Sequence, residues 1–308
     1  MSKRVTIILL SVVVLAAGAF VYAGVNLKPL IKQNPATTVG KAPSDTVRFV
    51  AFGDMGTGEN SQYSVAAGMA AHHNKHPFDT VLMLGDNIYP NGDPSLFKDK
   101  FERPYAELLK RGVRFYAALG NHDVRKGREA EMNYPNFNMN GKAYYSFVKG
   151  GELIEFFALD STDITRQQLR WLEDSLFASK AQWKIAYLHH PLYSSGITHG
   201  SEVKLRAQLE PLFVKFGVTA VLSGHDHVYE RTKPQRGVQY FVSGAGGQLR
   251  KGDLDRRTPF FGSGNDTVNS FMYFEATTDK LSFSAIDPAG NTLDSGALTK
   301  SRAATQAQ

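Results

Sequence analysis

Short apolar runs alternate with helix-like stretches in the first half of the chain. Residues 46–52, 80–84 and 113–119 are rich in apolar and β-branched side chains, which is typical of buried strands. The stretches between them, 61–76 and 95–110, are long enough for the helices that connect parallel strands. This alternation predicts helices packed on a parallel sheet.

The second half of the chain returns to the same alternation after a hairpin. Thr165 and Gln168 resemble a capping box at the start of a helix, and another helix is expected at 202–216, with Pro211 starting a second segment. Strands are predicted at 144–148, 153–159, 183–188, 218–222, 238–242, 271–277 and 280–286. Together the two halves predict an α/β sandwich of two mixed sheets flanked by helices. In such sheets ligands bind beyond the carboxyl ends of the strands.

The chain ends differ from this middle part. Lys3 and Arg4 precede an uncharged apolar run at 5–25, which is typical of an export signal and is also long enough to span a bilayer of roughly 30 Å. The expected order is a signal peptide or membrane anchor at 1–25, a linker at 26–45, a catalytic domain at 46–290 and a C-terminal tail at 291–308. We therefore expect an exported protein, either secreted, periplasmic or tethered facing outward.

Composition narrows the chemistry. The 308 residues carry a net charge of +6 but no run of Lys and Arg, so a generic basic surface is favoured over a nucleic-acid interface. The chain has no cysteine, which excludes disulfides, thiolate nucleophiles and Cys-ligated zinc. Any metal must be held by oxygen and nitrogen donors.

Polar side chains that can bind metals follow five of the predicted strands. Parallel strands bring such residues to one edge of a sheet, and the set contains both carboxylates and imidazoles. The five segments are Gly53-Asp54-Met55-Gly56, Gly85-Asp86-Asn87-Ile88-Tyr89, Gly120-Asn121-His122-Asp123, His189-His190-Pro191 and Gly224-His225-Asp226-His227. Two metal ions roughly 3.5–4 Å apart can clamp the oxygens of a phosphoryl transfer. The pattern therefore predicts a two-metal site for phosphoester chemistry.

These five segments, in this order, resemble the signature of the calcineurin-like metallophosphoesterases. Many members of that superfamily carry Asp-x-His in the first segment, whereas this chain has Asp54-Met55-Gly56 and a tyrosine, Tyr89, three residues after Asp86. This variant, together with Gly-His-Asp-His-Val-Tyr-Glu-Arg at 224–231, is similar to the purple acid phosphatases. The resemblance covers roughly residues 46–290 and implies the metallophosphoesterase sandwich.

The resemblance also implies roles for individual residues. Asp54, Tyr89 and His227 correspond to ligands of an Fe(III) ion. The second metal is iron, zinc or manganese in this family, and its corresponding ligands are Asn121, His189 and His225, with Asp86 bridging the two ions. His189 is chosen over His190 because the family pattern is His-x-Pro and Pro191 fixes the register.

Three further residues are catalytic candidates. His122 matches a family residue that contacts the phosphate and helps either to stabilise charge or to protonate the leaving group, and Asp123 is expected to orient it. His199 resembles a second such histidine, although its spacing from His189 is one residue longer than in the family. Asp226 is interpreted as a spacer between two ligands. His72, His73 and His76, at a helix end, are interpreted as solvent-facing residues or partners of the helix dipole and not as metal ligands.

The expected activity is acid phosphatase hydrolysis of a phosphate monoester, in which a metal-activated water attacks phosphorus in line. The expected partner is a small phosphorylated substrate, with no nucleic acid and no membrane contact beyond an N-terminal anchor. Two alternatives stay open. One is a phosphodiesterase or nucleotide-hydrolysing enzyme with the same metal centre, and the other is a tethered binding protein without catalysis.

Overall fold

The computed structural model describes residues 46–300. Within that range the chain forms thirteen strands and five α-helices. The strands are β1 Val47–Phe52, β2 Thr80–Met83, β3 Arg114–Ala117, β4 Tyr145–Lys149, β5 Ile154–Ala158, β6 Trp183–Tyr187, β7 Ala220–Ser223, β8 Tyr229–Thr232, β9 Gln239–Ser243, β10 Phe261–Asn265, β11 Phe271–Ala276, β12 Lys280–Ile286 and β13 Thr292–Thr299. The helices are α1 Asn60–Lys75, α2 Ala106–Lys110, α3 Arg128–Asn133, α4 Arg166–Ala178 and α5 Val203–Lys215.

The strands form two mixed sheets. The first has the order β13-β12-β11-β1-β2-β3, and the second has the order β10-β8-β9-β7-β6-β5-β4. Neighbouring strands are parallel from β1 to β3 and through β5, β6, β7 and β9, while the remaining pairs are antiparallel. The predicted fold class is thus confirmed.

The core lies between the two sheets, with helices outside. Phe49 of β1 meets Phe156 of β5 with ring centroids 4.9 Å apart, and Phe241 of β9 meets Phe274 of β11 at 5.9 Å. These rings join the facing sheets into one apolar cluster. A separate cluster fills the space between the outer face of the second sheet and helices α4 and α5. Both sheets are therefore covered on the faces that carry their parallel strands, as parallel sheets require.

Two helical predictions need correction. The expected helix at 95–110 is divided into a 3-10 turn at Pro94–Leu96, a π-helical turn at Lys98–Glu102 and α2. By contrast, α5 continues through Pro211 instead of starting again there. Proline inside a helix costs about 3 kcal/mol. Leu209 and Phe213, on either side of Pro211, are buried in the cluster beneath α5, and this packing holds the helix together.

The fold also extends past the expected boundary at residue 290. Strand β13 lies within the segment predicted to be a tail and pairs antiparallel with β12 at the edge of the first sheet. Its residues are mostly exposed, so it shows no apolar run. Asp294 anchors it by accepting hydrogen bonds from the Tyr229 hydroxyl and the Arg231 Nε, both at 2.7 Å.

The predicted signal peptide or anchor at 1–25 and the linker at 26–45 lie outside the described residues. In the part of the chain that the structure describes, no helix combines the length and the apolar character needed to cross a membrane.

Candidate metal centre

Loops that follow the carboxyl ends of strands in both sheets converge at one edge of the sandwich. Asp54 follows β1, Asp86 and Tyr89 follow β2, Asn121 follows β3, His189 follows β6, and the pair His225 and His227 follows β7. Three of these residues have backbone φ angles in the left-handed region, namely 56° at Asp54, 51° at Asp86 and 72° at His225. Such angles are uncommon for residues other than glycine and cluster at functional sites.

Asp54, Tyr89 and His227 form the first group of donors. The Tyr89 hydroxyl lies 3.2 Å from Asp54 Oδ1 and 3.2 Å from His227 Nε2, and the latter two atoms are 3.5 Å apart. Neighbouring ligands of one ion bound at about 2.1 Å are separated by roughly 3 Å. The three atoms therefore have the spacing of ligands that share one ion.

Asn121, His189 and His225 form the second group. His189 Nε2 lies 3.0 Å from Asn121 Oδ1 and 3.2 Å from His225 Nδ1. The other nitrogen of His189, Nδ1, is 2.9 Å from the carbonyl oxygen of Leu84. Because a carbonyl only accepts hydrogen bonds, Nδ1 carries the proton and Nε2 directs its lone pair into the site.

Asp86 lies between the two groups. Its Oδ1 atom is 3.5 Å from His189 Nε2, and a donor atom from each of Asp54, Asp86 and His189 lies within 4.8 Å of the others. The backbone N–H of His122 donates to Asp86 Oδ1 at 2.9 Å, and the N–H of His225 donates to Asp54 Oδ2 at 2.9 Å. Both carboxylates are thus held by backbone groups while they face the other donors.

The buried charges of the site favour the binding of cations. Asp54 and Asp86 are buried, and among residues 46–300 their only ion-pair neighbours are histidines. Burial raises the pKa of Asp54 to about 6, and burial together with Asp54 and Asp86 raises the pKa of Tyr89. Burial also lowers the pKa of His189, which keeps its imidazole neutral. Bound metal ions reverse this penalty on the anionic forms, so the donor set fits metal ions.

Two glycines allow the loops to pass close to the carboxylates of the site. A Cβ atom on Gly120 would lie 2.2 Å from both the backbone nitrogen and Oδ1 of Asp86, and one on Gly224 would lie 2.5 Å from Asp54 Oδ2. Real Cβ atoms do not come that near, so any larger residue would displace a carboxylate of the site.

His122 lies beside the first group, but Asp123 does not orient it. The Nδ1 atom of His122 is 2.7 Å from the carbonyl oxygen of Pro90, and its Nε2 atom is 3.9 Å from Asp86 Oδ2. The Asp123 carboxylate instead accepts hydrogen bonds from the N–H groups of Gly120 and Ile88. The expected contact is replaced because Asp123 is buried and satisfies backbone donors of the surrounding loops.

His199 lies over the second group on the loop at 194–200. Its ring centroid is 4.3 Å from that of His225, and its side chain is exposed. Asp226, interpreted from the sequence as a spacer, fastens this loop: its Oδ2 accepts hydrogen bonds from the Ser194 hydroxyl at 2.5 Å and the Gly200 N–H at 3.2 Å.

Two further carboxylates hold the same loop, and no sequence pattern indicates either role. Glu230 accepts hydrogen bonds from the N–H and hydroxyl of Ser195, at 2.7 and 2.6 Å. Asp253 accepts hydrogen bonds from the N–H and hydroxyl of Thr198, at 3.1 and 2.5 Å. All three anchoring carboxylates are buried, so the loop is tied to the rest of the fold at several points.

His190 lies next to the second group, with one ring nitrogen within 4.8 Å of a donor atom from each of His189 and His225. Its Nδ1 is 2.9 Å from the Ser161 hydroxyl, and its ring centroid is 4.5 Å from that of His225. A cavity of about 320 Å³ opens beside it. Its lining consists of Asn121, Val124, Ser161, Thr162, His190, Glu202 and Leu205.

Known proteins match both the sequence and the fold. The model of the calcineurin-like phosphoesterase family matches residues 47–229. Purple acid phosphatase 17 of Arabidopsis thaliana is 32% identical, over 70% of this chain and 72% of that protein. Tartrate-resistant acid phosphatase type 5 of Mus musculus is 27% identical, over 84% of this chain and 92% of that protein.

Two solved structures share the fold at lower sequence identity. One, described as GAP50, the anchor in the inner membrane complex of Plasmodium, has a TM-score of 0.73 and 19% identity, over 83% of this chain and 90% of that one. The other is the purple acid phosphatase PPD1 of yellow lupin, with a TM-score of 0.69 and 23% identity, over 82% of this chain and 54% of that one.

Proposed function

The chain belongs to the purple acid phosphatases, a family of calcineurin-like phosphoesterases, and on this premise we propose that it hydrolyses phosphate monoesters at a centre of two metal ions. Metal-dependent phosphoester hydrolysis follows from the family. The finer claim rests on one observation above all: the donor atoms fall into two groups of three, with Asp86 between them.

The donor sets favour different metals at the two positions. Asp54, Tyr89 and His227 would hold Fe(III), because a phenolate and a carboxylate are hard anionic donors. Asn121, His189 and His225 would hold a second ion, iron, zinc or manganese, since they supply one neutral oxygen and two imidazoles. Asp86, which lies between the two groups, would hold both ions. When bound, the pair of ions supplies charge for the phosphate and an activated water as nucleophile.

His122 is suited to handle the proton of the leaving group. Since the Pro90 carbonyl accepts from Nδ1, the proton that His122 gains in its acid form is held at Nε2, on the side of Asp86. That N–H can donate to an ester oxygen of a bound phosphate and transfer its proton as the bond to phosphorus breaks. The hydrogen bond to Pro90 fixes the ring for this step.

His199 is placed to supply a second donor, beside the second group of metal-binding side chains. Its exposed ring lies over His225, and its loop is fastened by Asp226, Glu230 and Asp253. A protonated imidazole in this place would compensate charge on the phosphate.

The cavity beside Asn121 and His190 is suited to the leaving group. Its volume of about 320 Å³ accommodates a small organic group, and it presents the apolar side chains of Val124 and Leu205 together with the hydroxyls of Ser161 and Thr162. This supports a small phosphorylated substrate. The charged start and apolar run at 1–25 support the companion proposal that the enzyme is exported.

Two other functions are ranked lower. A phosphodiesterase would use the same donors with a second substituent on phosphorus. A binding protein without catalysis would use only the fold, and a structure with this fold is described as an anchor. The complete donor set, with His122 beside it, favours catalysis.

Hydrolysis of p-nitrophenyl phosphate and bis(p-nitrophenyl) phosphate, each measured at pH 5 and pH 7, tests the proposal. We expect the monoester to be the better substrate, with its advantage largest at the acidic pH, and Asn121→Ala to abolish turnover. Asn133→Ala, an exposed asparagine on α3, is the matched control. A preference for the diester, or metal-loaded protein that hydrolyses neither compound, would contradict it.

A further inference from the structure

A second cluster of histidines lies at the opposite edge of the first sheet from the metal centre. Helix α1 runs from the carboxyl end of β1 back to the start of β2, so its last turn lies at the amino edge of these strands. His72 and His76 are one helical turn apart there. Unlike the interpretation from sequence, His72 is half-buried.

The two imidazoles lie close together at the end of α1. Their ring centroids are 4.7 Å apart and their planes differ by 27°. His72 is in the last turn of α1, and His76 is the C-cap residue, whose backbone N–H donates to the His72 carbonyl. Two histidines four residues apart at such a turn can hold a single metal ion with two nitrogens. Tyr273 of β11 packs against the pair, with its ring centroid 4.6 Å from that of His72.

A cavity of about 370 Å³ borders this cluster, and it contains polar atoms that lack partners. His72, His76 and Tyr273 all line it. The Nε2 atom of His72 is buried and makes no hydrogen bond to any of residues 46–300. In the described part of the chain the buried Tyr273 hydroxyl likewise lacks a hydrogen bond of normal geometry, although the Arg48 guanidinium lies beside it. Buried polar atoms are nearly always satisfied, so an ion or ordered water is expected here.

The protonation state and charge of the surrounding residues limit which ligand this cavity can bind. Burial, together with His76 and Lys75, lowers the pKa of His72 to about 4, so its imidazole is neutral at physiological pH and can donate a lone pair. Lys75 lines the cavity, and Arg48, the cation beside Tyr273, is paired with Glu275 at 2.6 Å. Among residues 46–300 no carboxylate lines the cavity, which disfavours Mg²⁺, Ca²⁺ and Mn²⁺.

We propose that His72 and His76 bind one transition-metal ion of the imidazole-preferring kind, Zn²⁺, Cu²⁺ or Ni²⁺, at a site separate from the catalytic centre. The Tyr273 hydroxyl is positioned as a neighbouring oxygen donor, and water completes the coordination. Such an ion joins the last turn of α1 to β11. With two imidazoles as its main ligands, the site exchanges its metal readily and is emptied by a chelator that leaves the catalytic ions in place.

Metal counting on the full chain with its catalytic metals bound tests this proposal. The protein is dialysed against Zn²⁺ at pH 7.5, freed of unbound metal, and its zinc, iron and manganese are quantified per chain. His72→Phe removes the ligand while keeping an aromatic ring against Tyr273. His73→Phe is the matched control, because His73 bonds Arg111 at 3.1 Å and does not line the cavity.

We expect the wild type and His73→Phe to carry one more metal ion per chain than His72→Phe, with equal hydrolysis by all three. Added Zn²⁺ should raise the Tm of the wild type and of His73→Phe but not of His72→Phe. His76→Gln provides a second variant, expected to behave like His72→Phe. Equal metal counts in all four proteins would overturn the proposal and assign ordered water to the cavity. Because the count does not depend on hydrolysis, this result is separate from any failure of the proposed function.

Discussion

The imidazole of His189 donates a hydrogen bond from Nδ1 to the carbonyl oxygen of Leu84, across 2.9 Å. Leu84 follows β2 of the first sheet and His189 follows β6 of the second, so this bond ties the two halves of the sandwich at the metal centre. It fixes which nitrogen of His189 faces Asn121 and His225. The adjacent His190 has no such bond, since its Nδ1 pairs with Ser161.

This difference predicts unequal effects of two neighbouring substitutions. His189→Ala should lose one metal ion per chain and lower kcat by more than about 100-fold, because groups that merely support a ligand are worth about 10- to 100-fold. His190→Ala should retain both ions. Metal analysis and turnover of the two variants check this, and the reverse order of effects would move the ligand role to His190.

Tyr89→Phe should remove the visible absorption that arises when a tyrosinate binds Fe(III). The ring keeps its place beside His122, with centroids 4.6 Å apart, so the loop should remain folded. Visible spectra of oxidised protein, with iron content measured on the same sample, provide the test. Iron-loaded wild type without the band would contradict the assignment of Tyr89, whereas a retained band in the variant would transfer it to another tyrosine.

Asp253→Ala should lower kcat about 10-fold while leaving both metal ions bound, a fraction of the roughly 10²–10⁴-fold that a positioned proton donor contributes. The variant frees Thr198 and so loosens the loop that carries His199. Asp255→Ala is the matched control, because that carboxylate bonds the exposed Arg257. If His199→Ala lowers kcat but Asp253→Ala does not, Asp253 has no part in holding the loop.

Glu230→Gln should change the pH dependence of stability. Burial raises the pKa of Glu230 from 4.5 to about 7, so the folded protein favours its neutral form. The contribution of the protonated Glu230 side chain to the free energy of unfolding is fully present below pH 4.5, and it is lost as the pH rises through about 7. Glutamine stays neutral throughout. Between pH 4.5 and 7.5 the free energy of unfolding of the variant should therefore rise relative to that of the wild type, by up to roughly 3 kcal/mol at about 1.4 kcal/mol per pKa unit.

Denaturant unfolding at a series of pH values measures this difference. Glu173→Gln, which alters an exposed ion pair with Lys215, is the control and should show no comparable change. A constant difference between Glu230→Gln and the wild type across the range would show that Glu230 is charged in the folded protein.

The sequence was sufficient for the fold and for the residues that converge on the centre. Buried strands show themselves as apolar runs, and residues after parallel strands must meet at one sheet edge. Asp54, Asp86 and His189 are residues of this kind, and the family resemblance adds Tyr89.

Other features depend on contacts that leave no local pattern. Asp253 and Thr198 are 55 residues apart in the sequence, and no hydrophobic periodicity predicts a hydrogen bond between them. Strand β13 is held by backbone pairing and by Asp294. Because its side chains are mostly exposed, its sequence is typical of a tail. Asp123 stood beside His122 in sequence, but burial turned its carboxylate toward backbone N–H groups. In each case the contact depends on burial in the tertiary structure and not on the residues adjacent in sequence.

Anomalous diffraction from crystals of the metal-loaded protein tests the two-metal centre most directly. We predict two peaks, one among Asp54, Tyr89 and His227 and the other among Asn121, His189 and His225, with Asp86 between them. The first should vary with wavelength as iron does. A single peak, or two peaks that leave either group of donors unused, would contradict the proposed centre.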